Sequence, residues 1–76
     1  MQTITTKSEL ISFLLDLGFQ EVNSFGEYIK IGKEKSILVT PSLTVNIIKS
    51  KNCESLDYYE CSNVQEVANV VSSYLN

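Results

Sequence analysis

The chain has 76 residues, 43% of them hydrophobic, six lysines, no arginine, no histidine and a formal net charge of −3. That length predicts one domain, residues 1–76, near the lower limit for a single hydrophobic core. Most apolar side chains are then committed to packing, which leaves little room for a small-molecule pocket of about 300 Å³ or more. The absence of histidine removes the commonest general base and metal ligand, so imidazole-assisted nucleophiles and histidine metal sites are excluded.

The first element is a helix over 7–17. Thr6-Lys-Ser-Glu9 fits a capping box, and Leu10, Phe13, Leu14 and Leu17 recur on one face. Gly18 stands where a left-handed C-terminal cap is wanted, with Phe19 placed to fold back onto Leu14. Ile11 and Leu15 widen the apolar arc, so two elements flank this helix or a partner contacts it. Residues 20–26 read as a loop, or as a short strand and a bend.

The period then falls from 3.6 to 2. Glu27–Ile31 alternates with Ile29 and Ile31 on one face, the polar turn Gly32–Lys35 follows, and Ser36–Thr40 completes a hairpin. Pro41 bends the chain because it cannot donate to a ladder. Leu43–Ile48 resumes alternation, Lys49–Asn52 turns again, and Glu54–Glu60 forms a last strand. A second helix is expected over 63–75, with Ser62 as N-cap and Gln65 three residues on. Val64, Val67, Ala68, Val71, Tyr74 and Leu75 form its inward stripe. The predicted class is α+β: helix, three- or four-stranded antiparallel sheet, helix, with both helices on one sheet face.

A search for chemistry along this frame finds little. No phosphate-binding loop, dinucleotide fingerprint, HExxH or EF-hand pattern occurs, and the three glycines belong to separate turns. Glu54, Asp57 and Glu60 are the only carboxylate cluster. On a strand Asp57 points away from the other two, so they read as a solvated edge. Cys53 and Cys61 on an extended segment stand roughly 26 Å apart, far beyond disulfide reach, so both are expected to be free. No metal or cofactor is expected. The N-terminal residues lack a signal peptide's pattern and no apolar run spans a bilayer, so a cytoplasmic location without membrane contact is expected.

Charge is unevenly distributed: residues 30–51 sum to +4, residues 1–29 to −3 and residues 52–76 to −4. The sheet's turns are therefore basic and the rest acidic. The uncovered sheet face is expected to display Tyr28, Lys30, Leu38, Thr40, Thr44, Asn46, Ile48, Asp57 and Tyr59. Two tyrosines beside two aliphatic residues make the mixed patch found at interface cores. Tyr28, Leu38, Ile48 and Tyr59 are the expected partner contacts, and Tyr59→Ala is expected to weaken binding without disturbing the fold.

Thr6–Phe19, followed by Gly26–Ile31 and Ile37–Pro41, resembles the start of HicA-type toxins. The resemblance implies a fold similar to a double-stranded RNA-binding domain. The family's catalytic histidine would fall near Glu27 or Tyr28, so ribonuclease activity does not carry over. Size, acidity and layout also resemble small phage-encoded anti-defence proteins, including some anti-CRISPR proteins, and lysine without arginine fits an AT-rich source.

These features point to a non-catalytic protein-binding module, a phage or mobile-element inhibitor of a host protein. The alternative is a nucleic-acid-binding module using Lys33, Lys35, Lys49 and Lys51, although missing arginine removes the best bidentate reader. A homodimer through an exposed strand or the extra apolar side of the first helix is a third reading.

Overall fold

A computed structural model describes residues 3–75. Its elements are α1 (Lys7–Asp16), β1 (Gln20–Glu21), β2 (Tyr28–Ile31), β3 (Lys35–Val39), β4 (Thr44–Lys49), β5 (Ser55–Glu60) and α2 (Val64–Leu75). The class is α+β. The strands form one antiparallel sheet in the order β1-β2-β3-β4-β5, so each strand pairs with its neighbours in sequence. The sheet has five strands, where sequence periodicity led to three or four. The extra one is β1, the short strand that is one of the two readings of residues 20–26; its two residues pair with Tyr28 and Ile29 and are too few to show alternation.

α1 is fixed at both ends by its own residues. The Glu9 amide donates to the Thr6 hydroxyl at 3.1 Å, and the Glu9 carboxylate accepts from the Thr6 amide at 3.0 Å. Hydrogen bonds from the Thr5 hydroxyl first, then from the Thr5 amide and the Thr6 hydroxyl and amide, hold the Glu9 carboxyl below its ordinary range. At the other end Gly18 takes φ +98, a conformation that costs a β-carbon-bearing residue energy. The amides of Gly18 and Phe19 then reach the carbonyls of Leu15 and Leu14, completing a Schellman closure.

The start of α2 corrects the sequence reading by one residue. Asn63 is the cap: its side-chain oxygen accepts from the Glu66 amide at 2.9 Å, while the Glu66 carboxylate accepts from the Ser62 amide. Gln65 does other work, accepting from the Ile4 amide at 2.7 Å and so tying the N-terminal segment to α2.

One buried cluster joins Ile4, Leu10, Leu14 and Phe19 to Ile37, Val39, Val45 and Ile47 and to Val64, Val67, Ala68 and Val71. Both helices therefore bury their apolar stripes with the same side chains of β3 and β4. The β3–β4 turn needs Leu43 at φ 64, a left-handed conformation unusual for a branched side chain. Leu43 packs against the core, which offsets that strain.

Candidate binding surface

The register decides which residues share the face away from the core. Ile29 pairs with Leu38, Leu38 with Asn46 and Asn46 with Tyr58, giving one row across the sheet. Ile31, Ser36, Ile48 and Ser55 give the next row. Directly opposed residues in antiparallel strands point to the same side. The uncovered face thus presents Ile29, Ile31, Leu38, Ile48 and Tyr58 as its apolar residues. Ile31 is 74% exposed and Tyr58 57%, so neither is satisfied by packing within the chain.

Of the four expected contacts, Leu38 and Ile48 lie on this face and are half-buried there. Tyr28 and Tyr59 do not. They pair with Val39 and Val45, which puts them on the core side, and both pack against the buried cluster. Lys30 and Asp57 turn the same way, while Thr40, Thr44 and Asn46 share the uncovered side.

Two physical causes explain the reversal. Lys30 lies under the end of α1 and donates from Nζ to the Leu17 carbonyl at 2.7 Å, so a cation closes the negative end of the helix dipole. That bond draws even-numbered β2 residues inward, and Ile29 and Ile31 outward. In β5, the pairing jumps from Ile47↔Asp57 to Ile48↔Ser55, so Leu56 is the extra residue of a bulge. The bulged strand turns Asp57 and Tyr59 toward α2. There the Tyr74 hydroxyl donates to Asp57 at 2.7 Å, and the hydroxyls of Tyr59 and Tyr74 meet at 2.7 Å. The Tyr59 hydrogen bond first, then Asp57, pushes the Tyr74 hydroxyl well above the usual tyrosine range.

The lysines gather at one end. Lys33, Lys35, Lys49 and Lys51 line a single shallow depression with Glu34 and Leu56. The turns that carry them are bound together: the Ser50 amide donates to the Glu34 carbonyl at 3.0 Å, and its hydroxyl reaches the Gly32 carbonyl at 2.8 Å. Ser50 also meets the buried Ser36 hydroxyl at 2.7 Å. Two of the lysines have partners within the chain. Lys49 pairs with Glu54 at 3.5 Å, and Lys35 stands 6.0 Å from the centroid of the Tyr74 ring.

The lysine depression encloses about 460 Å³, and a hollow beside Lys30, Ile47 and Tyr74 about 220 Å³. A groove between α1 and the sheet, lined by Leu10, Ile11, Leu14, Tyr28, Val39 and Leu43 among others, holds about 170 Å³. That is below the roughly 300 Å³ at which small-molecule sites begin. Among the described residues, no group of three or more histidine, cysteine, aspartate or glutamate side chains is placed to hold a metal ion. Cys53 is exposed and Cys61 half-buried, both are free, and burial first, then Glu66, raises the Cys61 thiol. No helix among them is long and apolar enough to cross a membrane.

Comparison with protein-family models, with curated proteins and with solved structures gives no match.

Sequence reasoning missed Ile29, Ile31 and Tyr58. The available signal was the pair Tyr58-Tyr59: adjacent aromatic residues on a strand must face opposite sides, so one of them had to be exposed. Nothing in the sequence said which.

Proposed function

We propose that the protein is a non-catalytic binding module that contacts a protein partner through its uncovered sheet face. The observation that carries this reading is the row of Ile29, Leu38 and Tyr58, with Ile31 and Ile48 beside it. These residues lie on a face where Ile31 and Tyr58 remain mostly exposed. Scattered exposed apolar residues are ordinary, but several on one sheet face with an aromatic at its margin match the make-up of interface cores. An inhibitor that masks a surface of a larger protein, of the kind phages use against host defence, is the role this face suits. A HicA-like ancestry without its histidine is compatible with that role and adds no activity.

The test is capture from a host-cell lysate by three forms of the full chain. The unaltered protein and a Leu15→Asp control on α1 are expected to retain the same protein. A double variant, Ile31→Asp with Tyr58→Ala, is expected to lose it. Equal capture by the double variant rejects this face.

A second reading, binding to nucleic acid, is supported by the convergence of Lys33, Lys35, Lys49 and Lys51 on one depression. It ranks lower because Lys49 and Lys35 already have partners and the net charge is −3. Affinity for an oligonucleotide that falls steeply with salt supports this reading; a partner affinity nearly independent of salt supports the first.

A further inference from the structure

We propose that the uncovered sheet faces of two copies pack against each other, with their strands running in opposite directions, to form a weak twofold dimer. This inference rests on reading that face as a protein-contact surface, and it names a second copy of the chain as an occupant.

The choice of occupant comes from charge. The face is about 20 Å long, six residues at about 3.3 Å each. At the turn end stand Lys33 and Lys51, which make no ion pair among the described residues; Glu34 lies beside them, and with Lys35 that end remains net positive. At the opposite end stands Glu60, exposed, paired in register with Thr44 and also without an ion pair among the described residues. Glu27, just before β2, lies at that same end and accepts from the Asn23 amide group at 2.6 Å. About 20 Å exceeds the Debye length of about 8 Å at physiological salt, so the two ends do not neutralise each other within one copy.

A twofold axis between two such faces has two simple directions. Parallel to the strands, it stacks lysine end on lysine end, which is repulsive. Perpendicular to the strands, it keeps each strand over its counterpart and exchanges the ends. Lys51 of one copy then approaches Glu60 of the other, Lys33 approaches Glu27, and Ile29, Ile31, Leu38, Ile48 and Tyr58 close around the centre. Such an interface is isologous and closes after two copies, and aligned packing of two sheets tolerates it.

Size sets the strength. Four strand gaps of about 4.8 Å by about 20 Å give a footprint of about 400 Å² per copy. Standard interfaces bury about 800 Å² per partner. The dimer is therefore weak and dependent on concentration, and a foreign partner with better complementarity displaces it.

Sedimentation equilibrium of the full chain between about 10 μM and about 1 mM tests this. The unaltered protein is expected to pass from monomer to dimer. Glu60→Lys and Lys51→Glu, both at exposed positions, are each expected to weaken dimerisation by roughly fivefold, because attraction becomes repulsion at two symmetric contacts. An equimolar mixture of the two variants is expected to recover it, since each contact then again joins opposite charges. A monomer at every concentration, an assembly larger than a dimer, or weakening by both variants without recovery on mixing overturns the proposal. If the chain stays monomeric while the Ile31→Asp, Tyr58→Ala variant still loses its captured protein, the dimer fails and the binding reading stands.

Discussion

Ile47 and Ile48 are neighbours on β4, yet Ile47 is wholly buried and Ile48 only half-buried. The same division runs across the sheet. Ile37, Val39, Val45 and Ile47 belong to one buried cluster with side chains of both helices, while Ile29, Ile31, Leu38, Ile48 and Tyr58 lie outside it. On β3 and β4 the core side carries Ile37, Val39, Val45 and Ile47, whereas the other carries Leu38 and Ile48 among Ser36, Thr44 and Asn46, so composition there already points to the core. The uncovered side still keeps apolar residues, and on β2 and β5 it gains Ile29, Ile31 and Tyr58.

The largest expected effect is at the pair that defines the contrast. Ile47→Ala should cost about 3 kcal/mol by leaving a cavity at a fully buried site, whereas Ile48→Ala should cost less than about 1 kcal/mol. Urea denaturation of both variants measures the difference. Equal costs would break the distinction between the faces.

The adjacent tyrosines sharpen it. Tyr59→Ala removes a ring packed on the core and its bond to Tyr74, and should destabilise by roughly 2 kcal/mol. Tyr58→Ala should leave stability within about 0.5 kcal/mol, because its side chain is on the uncovered face. Thermal unfolding of the pair reads this directly.

A smaller change should follow Lys30→Met, which keeps the aliphatic stem and removes the charge at the end of α1. A loss of about 0.5–1 kcal/mol is expected, and less at high salt as the charge term is screened. No loss would mean that β2 is not held by this contact.

The last effect shows only in alkaline solution. The Tyr74 hydroxyl titrates above its ordinary value of 10.0 in the folded chain. Its contribution is therefore full below that pH and is lost as pH climbs through the folded value. Stability should fall above pH 10, and Tyr74→Phe should flatten that part of the profile.

Much of this architecture is legible from the residues. Thr6, Glu9, Gly18 and Phe19 announce α1 and its closure because each acts on backbone groups within a few positions. Faces of β3 and β4 are legible too, since strict alternation there agrees with burial. β2 and β5 are not, because their orientation depends on distant partners. Lys30 turns inward for a carbonyl thirteen residues away, and the bulge at Leu56 shifts a register that period-2 reading assumes to be unbroken. The cap of α2 was misplaced by one because Ser62 and Asn63 are both good caps, and the Glu66 contacts choose between them. The candidate surface was accordingly half legible: Leu38 and Ile48 came from regular strands, whereas Tyr28 and Tyr59 came from strands whose facing is set by tertiary contacts.

The most direct test of the central claim is calorimetric titration of the captured partner with Tyr58→Ala and with Leu15→Ala. A binding surface on the uncovered sheet face predicts that Tyr58→Ala weakens affinity by more than about 1 kcal/mol, over fivefold, while Leu15→Ala leaves it unchanged. Unchanged affinity for Tyr58→Ala together with a loss for Leu15→Ala would place the contact on α1 and contradict the account.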